Sequence, residues 1–204
     1  MKKINEIYNA GGFRLLSMAD QNFRVMTANK KIQSMEDFRG IKIRTMENSN
    51  HMAFWQAIGA EPTPLAWSEL YISLQNGTVD AEENAADSIL GASFQEVQDY
   101  LACTNHILYC NQVCINNQAW NDLPKQYQEA LTEAVEEAIA EMRPLMTQID
   151  EDSKAALQAG GMEMITYDDS FFTEVLARDS VQALYAAIDE QTNGLAATLV
   201  DVLG

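Results

Sequence analysis

The sequence predicts an α/β fold with a mostly parallel sheet. Three observations carry this. Short apolar runs of strand type recur along the chain. Segments with helical apolar spacing separate them. Gly, Pro and Asn punctuate the junctions. "NFRVMTAN", residues 22–29, reads as a strand. "SMEDFRG" reads as a short turn, with Ser34 as N-cap and Asp37 three residues on. In "IKIRT", residues 41–45, Ile41 and Ile43 face one way while Lys42 and Arg44 face the other. Ser49 is placed to cap a helix through "HMAFWQAI" that ends at Gly59. "SELYISLQNG" is a second helix, closed by Asn76 and Gly77, and "HILYCNQVCIN" is a longer strand. A helical half follows. Pro124 opens it, and Tyr127, Leu131, Val135, Ile139 and Met142 share one face. Pro144 is expected to kink or break this helix, and another runs on to Gly160 and Gly161. "MEMITY" is a short strand, and Ser170 is expected to cap a last helix of about five turns.

The chain has 204 residues, of which 47% are hydrophobic, enough for one large domain or two small lobes. With 30 acidic and 13 basic side chains its formal charge is -17, which argues against nucleic acid and anionic membranes as partners. No apolar run approaches the roughly 20 residues of a membrane span. The opening stretch, "MKKINEIYNAGG", lacks an apolar core and does not read as a signal peptide. The spacing of Cys103, Cys110 and Cys114, with His106 nearby, matches no usual zinc pattern, so the cysteines read as small apolar strand residues.

Catalytic signatures are missing: there is no G-x-S-x-G elbow, P-loop or G-x-G-x-x-G. His51 reads as a surface or core residue in a first helical turn. Asp80, Glu82, Glu83 and Asp87 crowd into "VDAEENAADS" without the spacing of a calcium loop, and read as a solvated acidic face. Arg44 stands at the end of its strand, where α/β sheets bind ligands, and is a candidate anion contact. Arg24 and Arg44 could clamp one carboxylate through their planar forks; surface salt bridges are the alternative. Trp67 could line a ligand pocket or belong to the core.

The stretch "GIKIRTMENSNHMAFWQAIGAEPTPLAWSELYISLQNGTVDAEENA", residues 40–85, strongly resembles the solute-binding proteins of TRAP transporters, the DctP-type family. The likeness continues through "SFQEVQDYLACTNHILY" and "INNQAWNDLPKQYQEAL". The G-x-K-I-R strand, the G-A-x-P-x-P turn, the W-S-E-L-Y helix, the Q-N-G-x-V-D turn and the E-N pair occur in the family's order. The resemblance implies a periplasmic-binding-protein-like (type II) fold of two α/β lobes around a cleft. It implies an extracytoplasmic receptor, not an enzyme and without a cofactor, that captures a small organic acid for a membrane permease. It implies that Arg44 forms the main ion pair with the ligand carboxylate, that Arg24 assists, that Asn84 donates to the ligand and that Trp67 packs on it. The family usually reads D-G-Q-E-N-P where this chain has Asp80, Ala81, Glu82, Glu83, Asn84 and Ala85. Ala81 therefore stands where a positive φ is expected, and the loss of Pro should loosen the following turn.

Family members also carry a signal peptide and roughly a hundred more residues before the "NFRVMTAN" strand. This chain is accordingly expected to hold mostly the second lobe. Residues 20–110 and 150–178 would form it, 111–149 would return to the incomplete first lobe, and 179–204 would be a C-terminal helical tail. The exposed apolar face of the incomplete lobe is expected to permit self-association. A carboxylate-sensing or interaction module, an inactive fragment and, less favoured, a metal-dependent enzyme are the competing readings. Uronates, dicarboxylates, keto acids and sialic acids all remain open as ligands.

Overall fold

The computed structural model describes residues 2–195 and 197. In chain order its elements begin α1 (Lys2–Ala10), β1 (Phe13–Phe23), β2 (Val25–Ala28), β3 (Lys42–Thr45), α2 (Ser49–Ala57), β4 (Glu61–Pro64), α3 (Trp67–Gln75), β5 (Ala81–Asn84) and α4 (Ala86–Gly91). They continue as β6 (Tyr100–Ala102), β7 (Leu108–Asn116), α5 (Asn117–Asp122), α6 (Lys125–Ala159), β8 (Glu163–Ile165), α7 (Asp169–Ala177) and α8 (Asp179–Gln191). Two compact units share them: Met1–Arg24 with Asn105–Lys154, and Val25–Thr104 with Ala155–Gly204. The final residues of the expected C-terminal tail, 198–204, lie outside the described residues.

In the first unit β1 and β7 pair antiparallel from Phe13 opposite Asn116 to Phe23 opposite Leu108, with two irregularities in register. Asn116 then caps α5, its Oδ1 accepting from the N–H groups of Gln118 and Ala119. Arg14 lies over the Trp120 ring at 5.4 Å. Among the described residues, Leu15, Trp120, Ile139 and Met146 are the buried hydrophobic ones of this unit. Phe13, Leu108, Tyr127, Leu131, Met142, Leu145 and Ile149 are exposed. Pro144 sits inside the continuous 35-residue α6, so the expected break does not occur. Proline removes one donor and crowds one turn, a local cost of ~3 kcal/mol that the good helix formers around it outweigh.

The second unit is built on a six-stranded sheet in the order β4-β3-β5-β2-β6-β8. Five strands run one way; β2 alone runs the other, antiparallel to both β5 and β6. One face of the sheet carries Met26, Ala28, Ile43, Ala81 and Ala102, packed with Phe38, Trp55, Ile58 and Val181. The other carries Val25 and Leu101, packed with Leu70, Leu74, Ile89, Phe94 and Leu157. Both cores follow from the period-2 alternation of strand side chains. The glycines that close α2 and α3 adopt positive φ, +103° at Gly59 and +71° at Gly77, where a Cβ would be strained.

Several local expectations shift. Asn48, not Ser49, caps α2, accepting from the N–H groups of Asn50 and His51. Asp168, not Ser170, caps α7, and the expected single last helix is two, α7 and α8, separated at Arg178. The strand expected across residues 22–29 is interrupted at Arg24. Ala81 lies in extended β5, paired with both Ile43 and Ala28, so no positive φ is required there.

Candidate ligand-binding site

β4, β3 and β5 run parallel and adjacent, so their carboxyl ends open on one edge of the second unit. Arg44 is the penultimate residue of β3 and Asn84 the last of β5. Trp67 opens α3, two residues beyond the Leu65 that follows β4. This is the edge at which open α/β sheets present ligand groups. Three of the four residues singled out in the sequence thus share one strand-end edge.

Arg44 is buried, only 4% exposed. Its Nε donates to the Leu65 carbonyl at 3.0 Å, and its guanidinium lies 5.8 Å from the centre of the Trp67 ring. A guanidinium fixed through Nε and stacked on an indole has its rotamer chosen in advance, which suits bidentate recognition of a planar anion. Trp67 is 48% exposed and rests on Phe94, ring centres 5.5 Å apart. It is therefore a surface-facing aromatic anchored from below, not a core residue. Asn84 is 8% exposed, and its Oδ1 accepts from the Ala85 N–H at 3.1 Å. With the carbonyl so engaged, the amide NH2 is the side of Asn84 suited to donate outward.

Arg24 closes the first of the two stretches that make up the first unit and is 2% exposed. Its N–H donates to the Ile107 carbonyl at 2.8 Å, and its guanidinium stands 5.3 Å from the Tyr109 ring centre. The aromatic stacking partners of both arginines were not legible as such in the sequence, because each is separated from its arginine by more than twenty residues.

The acidic stretch does not form a solvated face. Glu82 and Glu83 are fully buried within β5. Carboxylates in a central strand are desolvated at high cost, so a buried pair in this position signals a polar role. Alternation sends the two to opposite faces. Glu83 shares a face with its partner Met26, and one of its oxygens lies 3.7 Å from His51 Nδ1 in α2. Glu82 shares the other face with its partners Thr27 and Arg44. Thr27 in turn donates from Oγ1 to Gln98 Oε1 at 3.0 Å. Asp80 caps the strand entry, its carboxylate accepting from the Lys42 N–H at 2.9 Å. Among the described residues no group of three His, Cys, Asp or Glu side chains could hold a metal ion. The cysteines are free thiols, Cys103 buried and Cys114 exposed. Among the described residues no helix is long and apolar enough to cross a membrane.

The chain belongs to bacterial extracellular solute-binding protein family 7, the DctP family, whose model matches residues 1–191. It is 33% identical over 177 residues to a solute-binding protein of Verminephrobacter eiseniae, covering 86% of this chain and 53% of that one. It is 32% identical over 167 residues to the ectoine-binding periplasmic protein TeaA of Halomonas elongata, covering 80% of this chain and 49% of TeaA. The fold superposes on a TRAP periplasmic solute-binding protein of Desulfovibrio salexigens with bound orotic acid, at TM-score 0.89 and 25% identity over 98% of this chain and 64% of that one. It superposes likewise on a Roseobacter denitrificans protein with bound L-galactonate, at TM-score 0.86 and 28% identity over 98% of this chain and 65% of that one. The two-lobe periplasmic-binding-protein-like fold of these proteins is thereby shared. The chain spans about half the length of the curated relatives it matches and under two thirds of the Desulfovibrio structure.

Proposed function

We propose that this chain is the carboxylate-holding part of an extracytoplasmic receptor that captures a small organic acid for a TRAP-type membrane permease. The observation that carries the reading is the convergence of Arg44, Asn84 and Trp67 at the carboxyl ends of parallel strands. Arg44 forms the ion pair with the ligand carboxylate, Asn84 donates a hydrogen bond from its amide NH2, and Trp67 covers an apolar part of the ligand. Arg24, held against the Tyr109 ring, is a further candidate cation for an acid ligand. The arrangement suits binding and release, and the reading is of a receptor, not an enzyme. Relatives named as periplasmic, and structures holding orotic acid and L-galactonate, support an acid ligand and a periplasmic setting. The net charge of -17 supports a small-molecule rather than a nucleic-acid partner.

A thermal-shift screen of the purified chain tests this, using D-glucuronate, L-galactonate, succinate, orotate and ectoine, with Arg44→Ala alongside. The expected result is stabilisation by one class of acid that disappears in the variant. Stabilisation that persists in Arg44→Ala would remove the arginine from the site. The exposed Leu131, Met142, Leu145 and Ile149 of α6 support self-association through the first unit. Light scattering on a size-exclusion column checks it, and a monomer at all concentrations would end that idea.

A further inference from the structure

Resting on the carboxylate-site reading above, we propose that Glu82 sets the charge selectivity of the Arg44 site, which takes monoanionic or zwitterionic acids in preference to dicarboxylates. Arg44 and Glu82 are direct partners in the parallel pairing of β3 with β5. Adjacent strands lie ~4.8 Å apart, and partnered residues project from the same sheet face. Both are buried, Arg44 at 4% and Glu82 at 0% exposure. Asn84 is two residues beyond Glu82 and so shares that face as well. Glu82 thereby stands on the same sheet face as Arg44, and in its ionised form it presents a negative charge to a carboxylate held there, in surroundings where water screens weakly.

Arg44 and Glu82 together carry no net charge. One ligand carboxylate is tolerated because the guanidinium contacts it directly, whereas Glu82 acts at longer range. A second ligand carboxylate finds no remaining positive charge in this pair and is still repelled by Glu82. At ~10 Å and an effective dielectric constant of ~20, that repulsion is worth roughly a tenfold loss of affinity. A ligand carrying a neutral or cationic group in that place escapes the loss. Glu82 acts through the field at Arg44 and needs no contact with the ligand, in keeping with its complete burial.

The test compares acids matched in shape and differing by one charge: succinate with succinamate, and D-glucuronate with D-glucuronamide as a control for removing the only carboxylate. Affinities are measured by calorimetry for the wild-type chain and for Glu82→Gln, which keeps size and hydrogen-bonding capacity. The expected result is a succinate-to-succinamate affinity ratio about tenfold higher in Glu82→Gln, with D-glucuronate still far above its amide in both. Should Glu82→Gln not fold, Glu82→Asp withdraws the charge by one methylene and is expected to move the ratio in the same direction by less. An unmoved ratio overturns the proposal. A ligand-free arm separates its failure from that of the binding reading: a double-mutant cycle of Glu82→Gln and Arg44→Met in thermal unfolding. Non-additive Tm changes support the pairing of the two side chains, and strictly additive ones overturn it. If none of the four compounds and none of the acids of the thermal-shift screen binds the wild-type chain at millimolar concentration, the carboxylate reading fails and takes the selectivity with it, whatever the cycle reports.

Discussion

Replacing Arg44 by Lys keeps the charge and the place in β3 but removes the geometry on which the site depends. Three features of Arg44 are lost together. Its Nε bond to the Leu65 carbonyl, 3.0 Å long, is a charge-assisted hydrogen bond to a neutral acceptor, worth ~1.5–3 kcal/mol when buried. Its stacking on Trp67 at 5.8 Å contributes ~0.5–1 kcal/mol. Its fork can serve Leu65 and a ligand carboxylate at once, which a single ammonium cannot do in the same directions. Because Arg44 is only 4% exposed, solvent screening reduces these values little. A lysine ammonium recovers one of the hydrogen bonds, so the net loss of ligand affinity is ~2–3 kcal/mol, about 30- to 150-fold. Calorimetry with the acid that stabilises the wild-type chain measures it, and Arg44→Ala gives the lower limit, with a loss of ~2–5 kcal/mol. If Arg44→Lys binds that acid within threefold of wild type, the pre-set geometry is not what the site uses, and the argument from Leu65 and Trp67 is refuted.

Other perturbations probe the frame that holds the site. Trp55 is fully buried between α2 and the sheet, so Trp55→Ala should cost ~3–5 kcal/mol and lower Tm by about 6–20 °C in differential scanning fluorimetry. Pro144→Ala restores a helical donor within α6 and should stabilise by up to ~3 kcal/mol; denaturant unfolding showing a loss instead would mean that the proline shapes the helix. The Asp37 carboxyl is held below its ordinary pKa of 3.8 chiefly by the Gln33 N–H, with the Ser34 N–H and hydroxyl adding to it. Its contribution is therefore present above that ordinary value and is lost as pH falls through the lower folded one. Asp37→Ala should be less stable than wild type at pH ~7 and should lose less on acidification below pH ~4, as read by urea midpoints.

Sequence reading located Arg44 because the alternation in "IKIRT" is unambiguous: Ile43 faces the core, and the arginine falls at a strand end. Asn84 became visible only through resemblance. Its strand, "AEEN", lacks the β-branched and aromatic residues that announce strands, and its adjacent glutamates imitate a solvated loop while lying fully buried. β4, "EPTP", was hidden for a related reason. Two prolines argue against a strand, yet β4 is the edge of the sheet, where a missing donor can face away from the ladder. Cap positions moved by one or two residues because neighbouring Asn, Asp and Ser side chains compete for the same N–H groups, and only local geometry decides among them. The stacking of Arg24 on Tyr109 and of Arg44 on Trp67 depends on strand and helix placement that periodicity does not encode.

The second unit is assembled from two stretches of chain, with residues 105–154 intervening. One of its cores includes Leu157 and Met162 from the later stretch, and the other includes Val181. During synthesis, then, five of the six strands emerge with neither core complete, and Arg44, Glu82 and Asn84 wait on an open sheet while the next fifty residues are made. The last edge strand, β8, and the helical caps arrive only afterwards. This edge of the sheet thus passes through a period of exposure whose length is set by the translation of residues 105–154.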